Sequence, residues 1–188
     1  MIDLKPSESL EHNPNCSDWF DFSHTGKVLL RTGKVEIGQG ILTALVQIAA
    51  DELDIHPDRF EVLSGHTRLG PLEAQTASSL SLEVTGRAIR LAASATYHRL
   101  AEQAATLLQA NLADLSFVDG TVHIEGRDTP LTSWSLAQAM DLAVPVMTHA
   151  APKPMAARKV VGTSLPRQDL RAKAVEAAFI HDIAPNGM

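Results

Sequence analysis

The stretch from Lys27 to Leu63 restricts this chain more than any other: an alternating run, a Gly-x-Gly break, an amphipathic run and a second alternating run. Lys27–Thr32 and Lys34–Ile37 read as strand, separated or bent at Gly33. Gly38-Gln39-Gly40 breaks that strand and opens a helix. Within it Ile41, Leu45, Ile48 and Glu52, flanked by Leu42, Ala49 and Leu53, fall on one stripe at helical spacing. The helix should end before Pro57, because proline disfavours helix in the residue ahead of it. Arg59–Leu63 alternates Phe60 and Val62 with the charged Arg59 and Glu61 and reads as a second strand.

The remainder fits around that unit. A loop rich in Gly, Pro, Thr and Ser runs from Ser64 to Ser81, followed by a long helix over Leu82–Ala110. Ile89, Ala93, Leu100, Ala104 and Leu107 make one apolar stripe of that helix, and Val84, Ala88, Leu91 and Ala95 make another, so it should pack on two sides. Ser116-Phe117-Val118, Asp119-Gly120 and Thr121–Ile124 predict a hairpin, since Asp-Gly supplies the positive φ angles of a tight turn. Trp134–Leu142 is a short helix and Ala150–Pro154 a proline-rich linker. The order strand, helix, strand, helix, hairpin means a mixed α/β (α+β) fold. The expected organisation is an irregular lead-in over 1–26, pinned by Trp19, Phe20 and Phe22, a domain over 27–150, and a linker with the start of a further domain over 151–188. The tail from Ser164 has few apolar anchors and is expected to dock loosely. With eight aromatic residues among 188, the core must come from Leu, Val, Ile and Ala.

Several function classes drop out. A net charge of −6 with no basic run gives no groove for nucleic acid. Cys16 is the only cysteine, so an internal disulfide and an all-protein iron–sulfur or zinc site are excluded. No apolar stretch approaches the roughly 20 residues that span a bilayer, and Met1–Ser9 has no apolar core of a leader, so membrane insertion is not expected and a cytoplasmic location is. None of the eight histidines shares a metal-ligand spacing with another, and no Gly-x-Ser-x-Gly surrounds Ser64, Ser79 or Ser81. Glu36 and Glu73 are isolated acids. No residue is assigned as catalytic or metal-ligating.

Two segments remain as candidates. Gly38-Gln39-Gly40 joins a strand to a helix start, where glycines allow close backbone approach and unpaired N–H groups favour an anion. Gln39 adds a neutral donor and acceptor. A tight turn without a ligand explains the same residues equally well. A dinucleotide-binding fingerprint does not, because Thr43 stands where its third glycine belongs and the next strand ends in Leu63-Ser64-Gly65 without an acid. The second segment is Thr76-Ala77-Ser78-Ser79-Leu80-Ser81, where small residues and hydroxyls precede the long helix. Alone it reads as an ordinary cap. Two such helix starts can converge on one ligand.

The run Gly33-Lys-Val-Glu-Ile-Gly-Gln-Gly-Ile-Leu-Thr-Ala-Leu-Val-Gln-Ile-Ala-Ala-Asp-Glu-Leu53, within Trp19–Asp54, closely resembles the molybdopterin-binding subunits of xanthine oxidase and aldehyde oxidase type molybdenum hydroxylases, in particular those of the isoquinoline 1-oxidoreductase and nicotinate dehydrogenase kinds. The resemblance continues through Ser64-Gly65, Pro71, Glu73, Thr76-Ala77 and Ser79-Leu80-Ser81. It resumes at Lys153-Pro154, Val161-Gly162, Leu165–Leu170 and Ala178–Asp182. It implies a partial molybdopterin-binding domain and a molybdenum cofactor, usually molybdopterin cytosine dinucleotide, that hydroxylates an aldehyde or an N-heteroaromatic ring. It implies that Gly38, Gln39 and Gly40 touch the pterin and phosphates and that Thr76, Ser79 and Ser81 belong to a second cofactor loop. It implies, as partners, the remainder of the subunit and a small [2Fe-2S] subunit. The family's catalytic glutamate lies in a region without counterpart here, so residues 1–188 alone are expected to be inactive. A remnant that folds without cofactor, or a generic phosphate- or nucleotide-binding module, remains an alternative. The pattern departs from the family at His66, where relatives have aspartate, at Ala74 and Ser78, where they have glycine, and at Val175-Glu176, where they have Thr-Gly.

Overall fold

The computed structural model describes residues 8–146 and 151–175; Ala178–Asp182 lies outside them. The chain opens with α1 (Glu8–His12) and a short strand β1 (Phe20–Asp21), then β2 (Val28–Thr32), α2 (Ile41–Leu53) and β3 (Phe60–Ser64). The first sheet has the order β1-β2-β3. β1 runs antiparallel to β2, with Phe20 opposite Leu30, and β2 runs parallel to β3, with Val28 opposite Phe60 and Thr32 opposite Ser64. Parallel neighbours need a crossover, and α2 supplies it. Val28, Leu30 and Thr32 point inward and are fully buried, as period-two alternation requires.

Lys34–Ile37 is not strand, contrary to the sequence reading. Its amides and side chains bond to a loop instead of to a neighbouring strand, as described below. The long helix begins with a wide π turn over Ser81–Gly86 and continues as α3 (Arg87–Leu108). Gly86 lets α3 close on α2: a Cβ there would lie 3.1 Å from Ile48 Cδ1. Leu45, Val46, Ala49 and Leu53 of α2 meet a small-residue face of α3 containing Ala88, Ile89, Ala92, Ala93 and Leu100. The core also draws on the lead-in more than composition suggests, because Cys16, Trp19 and Phe20 are almost wholly buried. Trp19 Nε1 donates to the Asn13 carbonyl at 3.0 Å, and the Cys16 and Ser17 amides donate to the Val144 and Leu142 carbonyls.

The second sheet is an antiparallel meander of β4 (Leu115–Val118), β5 (Thr121–Ile124) and β6 (Arg127–Thr132). Asp119 and Gly120 both have positive φ, 48° and 77°, as the expected hairpin demands. Glu125-Gly126 makes a second turn of the same kind (φ 50° and 76°), and with it β6, which the sequence did not announce. A helix, α4 (Ser133–Gln138), is shorter than expected and is capped by Thr132, whose hydroxyl accepts from the Ser135 amide.

Residues 153–169 run as a strap along α2, and α5 (Leu170–Val175) follows. Thr43, Gln47 and Asp51 lie four residues apart on one helical face, and each holds the strap. Thr43 Oγ1 accepts from the Gln168 amide, and Gln47 Nε2 donates to the Val160 and Thr163 carbonyls. The Asp51 carboxylate accepts the amides of Lys159, Val160 and Val161 at 2.7–2.9 Å. The loose docking expected from Ser164 therefore does not describe residues 164–169, whose anchors are polar instead of apolar. Among the described residues no helix is long and apolar enough to cross a membrane.

Candidate functional site

The site is built where the segment after β2 is zipped to the loop after β3. The Gly33 amide donates to Glu73 Oε2 at 2.7 Å, Lys34 Nζ donates to the Ala74 and Gln75 carbonyls at 2.6 and 3.2 Å, and the Val35 amide donates to Thr76 Oγ1 at 3.0 Å. Lys34 is 1% exposed although it carries a charge. Two carbonyl dipoles compensate its burial, and in return it pins the loop that precedes α3. Glu73 also accepts from Ser9 Oγ, Thr32 Oγ1 and Thr85 Oγ1. A single carboxylate thus ties α1, the end of β2 and the π turn together.

These bonds carry the two candidate segments to one place. Gln39, Gly40, Thr76, Ser79 and Ser81 line a cleft of about 390 Å³, together with Ile37, Ala77, Ser78 and the first turn of α2. Gly38 lies just outside the lining, on the same turn. Gly40 is the N-cap of α2 in a left-handed conformation (φ 77°) and has no side chain to bond the amides of the first turn. The amides of its first turn lack intrahelical partners by geometry. Gly38 has φ 104°, and a Cβ there would meet nothing within 4 Å, so the turn is open on that side. The hydroxyls of Ser79 and Ser81 have no hydrogen-bond partner among the described residues. Ser78 and Ser79 both hold positive φ, 55° and 59°. Ser78 thus has the backbone that a glycine takes without strain, at one of the positions where the sequence was read as departing from a family glycine. His66 similarly takes over an acceptor role suited to aspartate, with Nδ1 facing the Arg68 and Leu69 amides at 3.2 Å.

The turn also holds an internal anion. Glu36 Oε1 accepts the amides of both Gly38 and Gly40 at 2.8 Å, and its side chain is 9% exposed. The two N–H groups that the sequence offers to a bound anion are therefore engaged by the chain itself. Arg167 stands beside this carboxylate, 3.5 Å away, and donates to the Gly38 carbonyl at 2.8 Å. Asp169 grips the same guanidinium, and with Lys173 on its other side its carboxyl is held far below the usual carboxylate range. Gln39 folds back on its own loop, accepting from the Ile37 amide and donating to the Val35 carbonyl. The arrangement offers a neutral or hydrogen-bonding ligand the uncapped start of α2, two hydroxyls and an open glycine face. A phosphate at the Gly38 and Gly40 amides would have to displace Glu36. A pyranopterin, flat and rich in donors and acceptors, fits this donor set.

Sequence reasoning set Glu36 and Glu73 aside as isolated acids and gave no role to Lys34 and Arg167. The alternation Val28, Leu30, Thr32 extends by two to Lys34, which was a usable signal for its burial. Arg167 lies more than a hundred residues from Glu36 and Gly38 and left no such signal.

The model of the molybdopterin cofactor-binding domain family matches residues 5–174. A nicotinate dehydrogenase subunit of Pseudomonas putida is 33% identical over 162 residues, which is 86% of this chain and 14% of that protein. The gamma subunit of the 6-hydroxypseudooxynicotine dehydrogenase complex of Paenarthrobacter nicotinovorans is 34% identical over 121 residues, covering 64% of this chain and 15% of that protein. Among solved structures, reconstituted CO dehydrogenase from Oligotropha carboxidovorans superposes with a TM-score of 0.52 at 30% identity, over 61% of this chain and 14% of that one. The chain thus spans about a seventh of the length of these relatives. It belongs to the molybdopterin cofactor-binding domain family, which bears out the resemblance read from Gly33–Leu53 and the mixed α/β class.

Proposed function

We propose that this chain is part of the large subunit of a molybdenum hydroxylase and holds its pterin in the cleft between the Gly38–Gly40 turn and the Thr76–Ser81 loop. The observation that carries this reading is the meeting of the two segments in one cleft at the uncapped start of α2. In it, first-turn amides of α2 and the hydroxyls of Ser79 and Ser81 bind the edge of the pterin. Gln39 turns its amide from its own loop to the ligand. Thr76 fixes the second loop through the Val35 amide. Glu36 keeps the glycine turn folded by holding the Gly38 and Gly40 amides.

When bound, the molybdenum–pterin group supplies redox chemistry that the protein only orients. The assigned substrate class is an aldehyde or N-heteroaromatic ring, supported by the similarity to the nicotinate dehydrogenase subunit. The assigned pterin is the cytosine dinucleotide form, and the assigned partners are the remainder of the subunit and a small [2Fe-2S] subunit in the cytoplasm. Residues 27–150 form the cofactor-binding part, with 1–26 leading in and 151–188 leading toward a further domain.

The test is pterin and molybdenum content after expression in a host that makes the cofactor. The unaltered chain should retain both. Gln39→Ala and Gly40→Val should lower the content about tenfold or more, the loss expected for one or two ligand hydrogen bonds, with circular dichroism reporting on the fold. Undiminished pterin in both variants would overturn the assignment.

A further inference from the structure

The glycine turn is held from outside itself by one side chain. Gly38 and Gly40 have φ of 104° and 77°, and glycine gives up more freedom on ordering than any other residue. Packing does not supply that order: a Cβ on Gly38 would meet nothing within 4 Å, and Ile37 is 71% exposed. Glu36 and Gln39 bond the turn internally. Among the described residues, the bonds that reach residues 36–40 from beyond the turn and α2 come from Arg167 alone.

Arg167 meets the turn at three points. Its Nη1 donates to the Gly38 carbonyl at 2.8 Å. Its Nη2 stands 3.5 Å from Glu36 Oε1, the oxygen that carries both glycine amides. Its Cγ and Cδ lie 3.9 and 3.8 Å from the place of a Cβ on Gly40. At the same time Nε and Nη2 donate to the two oxygens of Asp169 at 3.0 and 2.7 Å, and Lys173 Nζ donates to Asp169 at 2.6 Å. A guanidinium is a flat fork with several donors, so one side chain grips strap and turn together. The strap is itself fixed to α2. The Gln168 amide donates to Thr43 Oγ1 at 3.1 Å, and Gln47 and Asp51 hold residues 159–163.

We propose that Arg167, through its forked guanidinium, is a positioning residue of the glycine-turn cleft, which keeps the Gly38–Gly40 turn in its ligand-binding shape only while the strap is docked on α2. The strap is then part of the site and not merely the way to a further domain. What the turn binds rests on the pterin reading above; the dependence of the turn on the strap does not.

The experiment is amide hydrogen exchange, resolved by nuclear magnetic resonance, on the full chain purified without cofactor, paired with pterin content after expression in a host that makes the cofactor. Arg167→Ala should speed exchange of the Gly38 and Gly40 amides about tenfold or more, as local opening does, with the interior amides of α3 unchanged. Arg167→Lys keeps the charge without the fork and should not restore the protection. Thr43→Val takes the acceptor from the Gln168 amide and should speed the same two amides by a smaller factor. Combined with Arg167→Ala it should add nothing there, because both changes act through one contact. Pterin content should fall about tenfold or more in Arg167→Ala, the loss expected when ligand donors are no longer pre-arranged. It should stay level in Arg171→Ala, which removes a charge from an exposed residue of α5. Unchanged exchange at Gly38 and Gly40 in Arg167→Ala, full protection in Arg167→Lys, additive effects in the double variant, or faster exchange with undiminished pterin would each overturn the proposal. If the unaltered chain holds no pterin, the cofactor reading fails, and the exchange rates alone decide whether the strap sets the turn.

Discussion

Glu73 touches Gly33 twice. Its carboxylate accepts the Gly33 amide at 2.7 Å, and its Cβ lies 2.9 Å from where a Cβ on Gly33 would stand. The Pro71 carbonyl is equally close to that point. Gly33 is therefore required for contact, not for a special φ. Gly33→Ala should push the 71–76 loop away and cost about 1–3 kcal/mol, the usual range for overpacking. Glu73→Gln keeps the contact but replaces one acceptor oxygen with a donor, and a loss of about 1.5–3 kcal/mol is expected for a charged hydrogen-bond hub. Urea unfolding monitored by tryptophan fluorescence measures both. A midpoint unchanged in either variant contradicts this account.

The parts of the fold that sequence conveyed are those whose bonds repeat locally. β2, α2 and β3 were legible because periods of two and 3.6 change at Gly38–Gly40 and near Pro57. The Asp119-Gly120 hairpin was legible because few other pairs accept two positive φ angles. β6 was not: Arg127-Asp128-Thr129-Pro130 has no apolar alternation, and its register slips against β5 between Thr121 and His123. Its turn uses Glu125 in place of the usual Asn or Asp. The strap was invisible for another reason, since it is held by side chains of Thr43, Gln47 and Asp51 acting on backbone about a hundred residues away. At the site, the meeting of the Gly38–Gly40 and Thr76–Ser81 segments could be guessed from two similar helix starts. The presence of Glu36 on the glycine amides could not, because an isolated acid carries no mark of where it folds back.

Asp119 provides a pH-dependent contact between the sheets. Arg59 donates to both its oxygens at 2.7–2.9 Å, and this bond holds the Asp119 carboxyl below its ordinary value. A depressed carboxylate contributes stability above the unfolded value of about 3.9 and loses it as pH falls through the lower folded value. Both side chains are about 40% exposed, so the pair is worth less than about 1 kcal/mol. Asp119→Asn tolerates the left-handed backbone, removes the charge and turns one of the two accepting oxygens into a donor. The stability difference between the two proteins should be flat from pH 7 to 5 and shrink below pH 4. A difference independent of pH down to 2 would show that the ion pair contributes nothing.

Gly120 should tolerate substitution least of the turn residues. A Cβ there would sit 2.6 Å from the Trp134 ring, and φ is +77°. Trp134 cannot retreat readily, because its Nε1 donates to the Lys27 carbonyl at 2.6 Å. Gly120→Ala should therefore cost roughly 2–4 kcal/mol, combining overpacking with left-handed strain. Thermal unfolding checks this, and a loss below that of Asp119→Asn would contradict it.

Cys16 should be chemically silent while the protein is folded. It is wholly buried, and burial pushes its thiol above the ordinary value, which disfavours the reactive thiolate. Reaction with a chromogenic disulfide should be at least ~100-fold slower than for free cysteine, with the rate set by opening of the lead-in. Urea at the unfolding midpoint should restore it. Rapid modification in native buffer would mean that the lead-in is not packed on α3 as described.

The strap should depend on Asp51 more than on any other α2 residue. One carboxylate there satisfies three consecutive amides, Lys159 and Val160 through Oδ1 and Val161 through Oδ2. Lys153 adds a bond from its Nζ to the Asp51 carbonyl and an ion pair to Asp54 at 2.6 Å. Asp51→Asn is nearly isosteric, yet it turns one acceptor into an NH₂ group facing another N–H. The expected cost is about 1–3 kcal/mol, that of a hydrogen bond lost with a donor left unsatisfied. Because the strap carries few apolar contacts, this cost should appear as local opening ahead of global unfolding. Hydrogen exchange at the Lys159–Val161 amides should accelerate about tenfold or more, with the interior amides of α3 unchanged. Trypsin should cut after Arg158 or Lys159 faster in the variant. Gln47→Ala removes bonds to the Val160 and Thr163 carbonyls only and should have the smaller effect. If exchange at 159–161 is the same in Asp51→Asn as in the unaltered chain, the three-amide grip does not hold the strap.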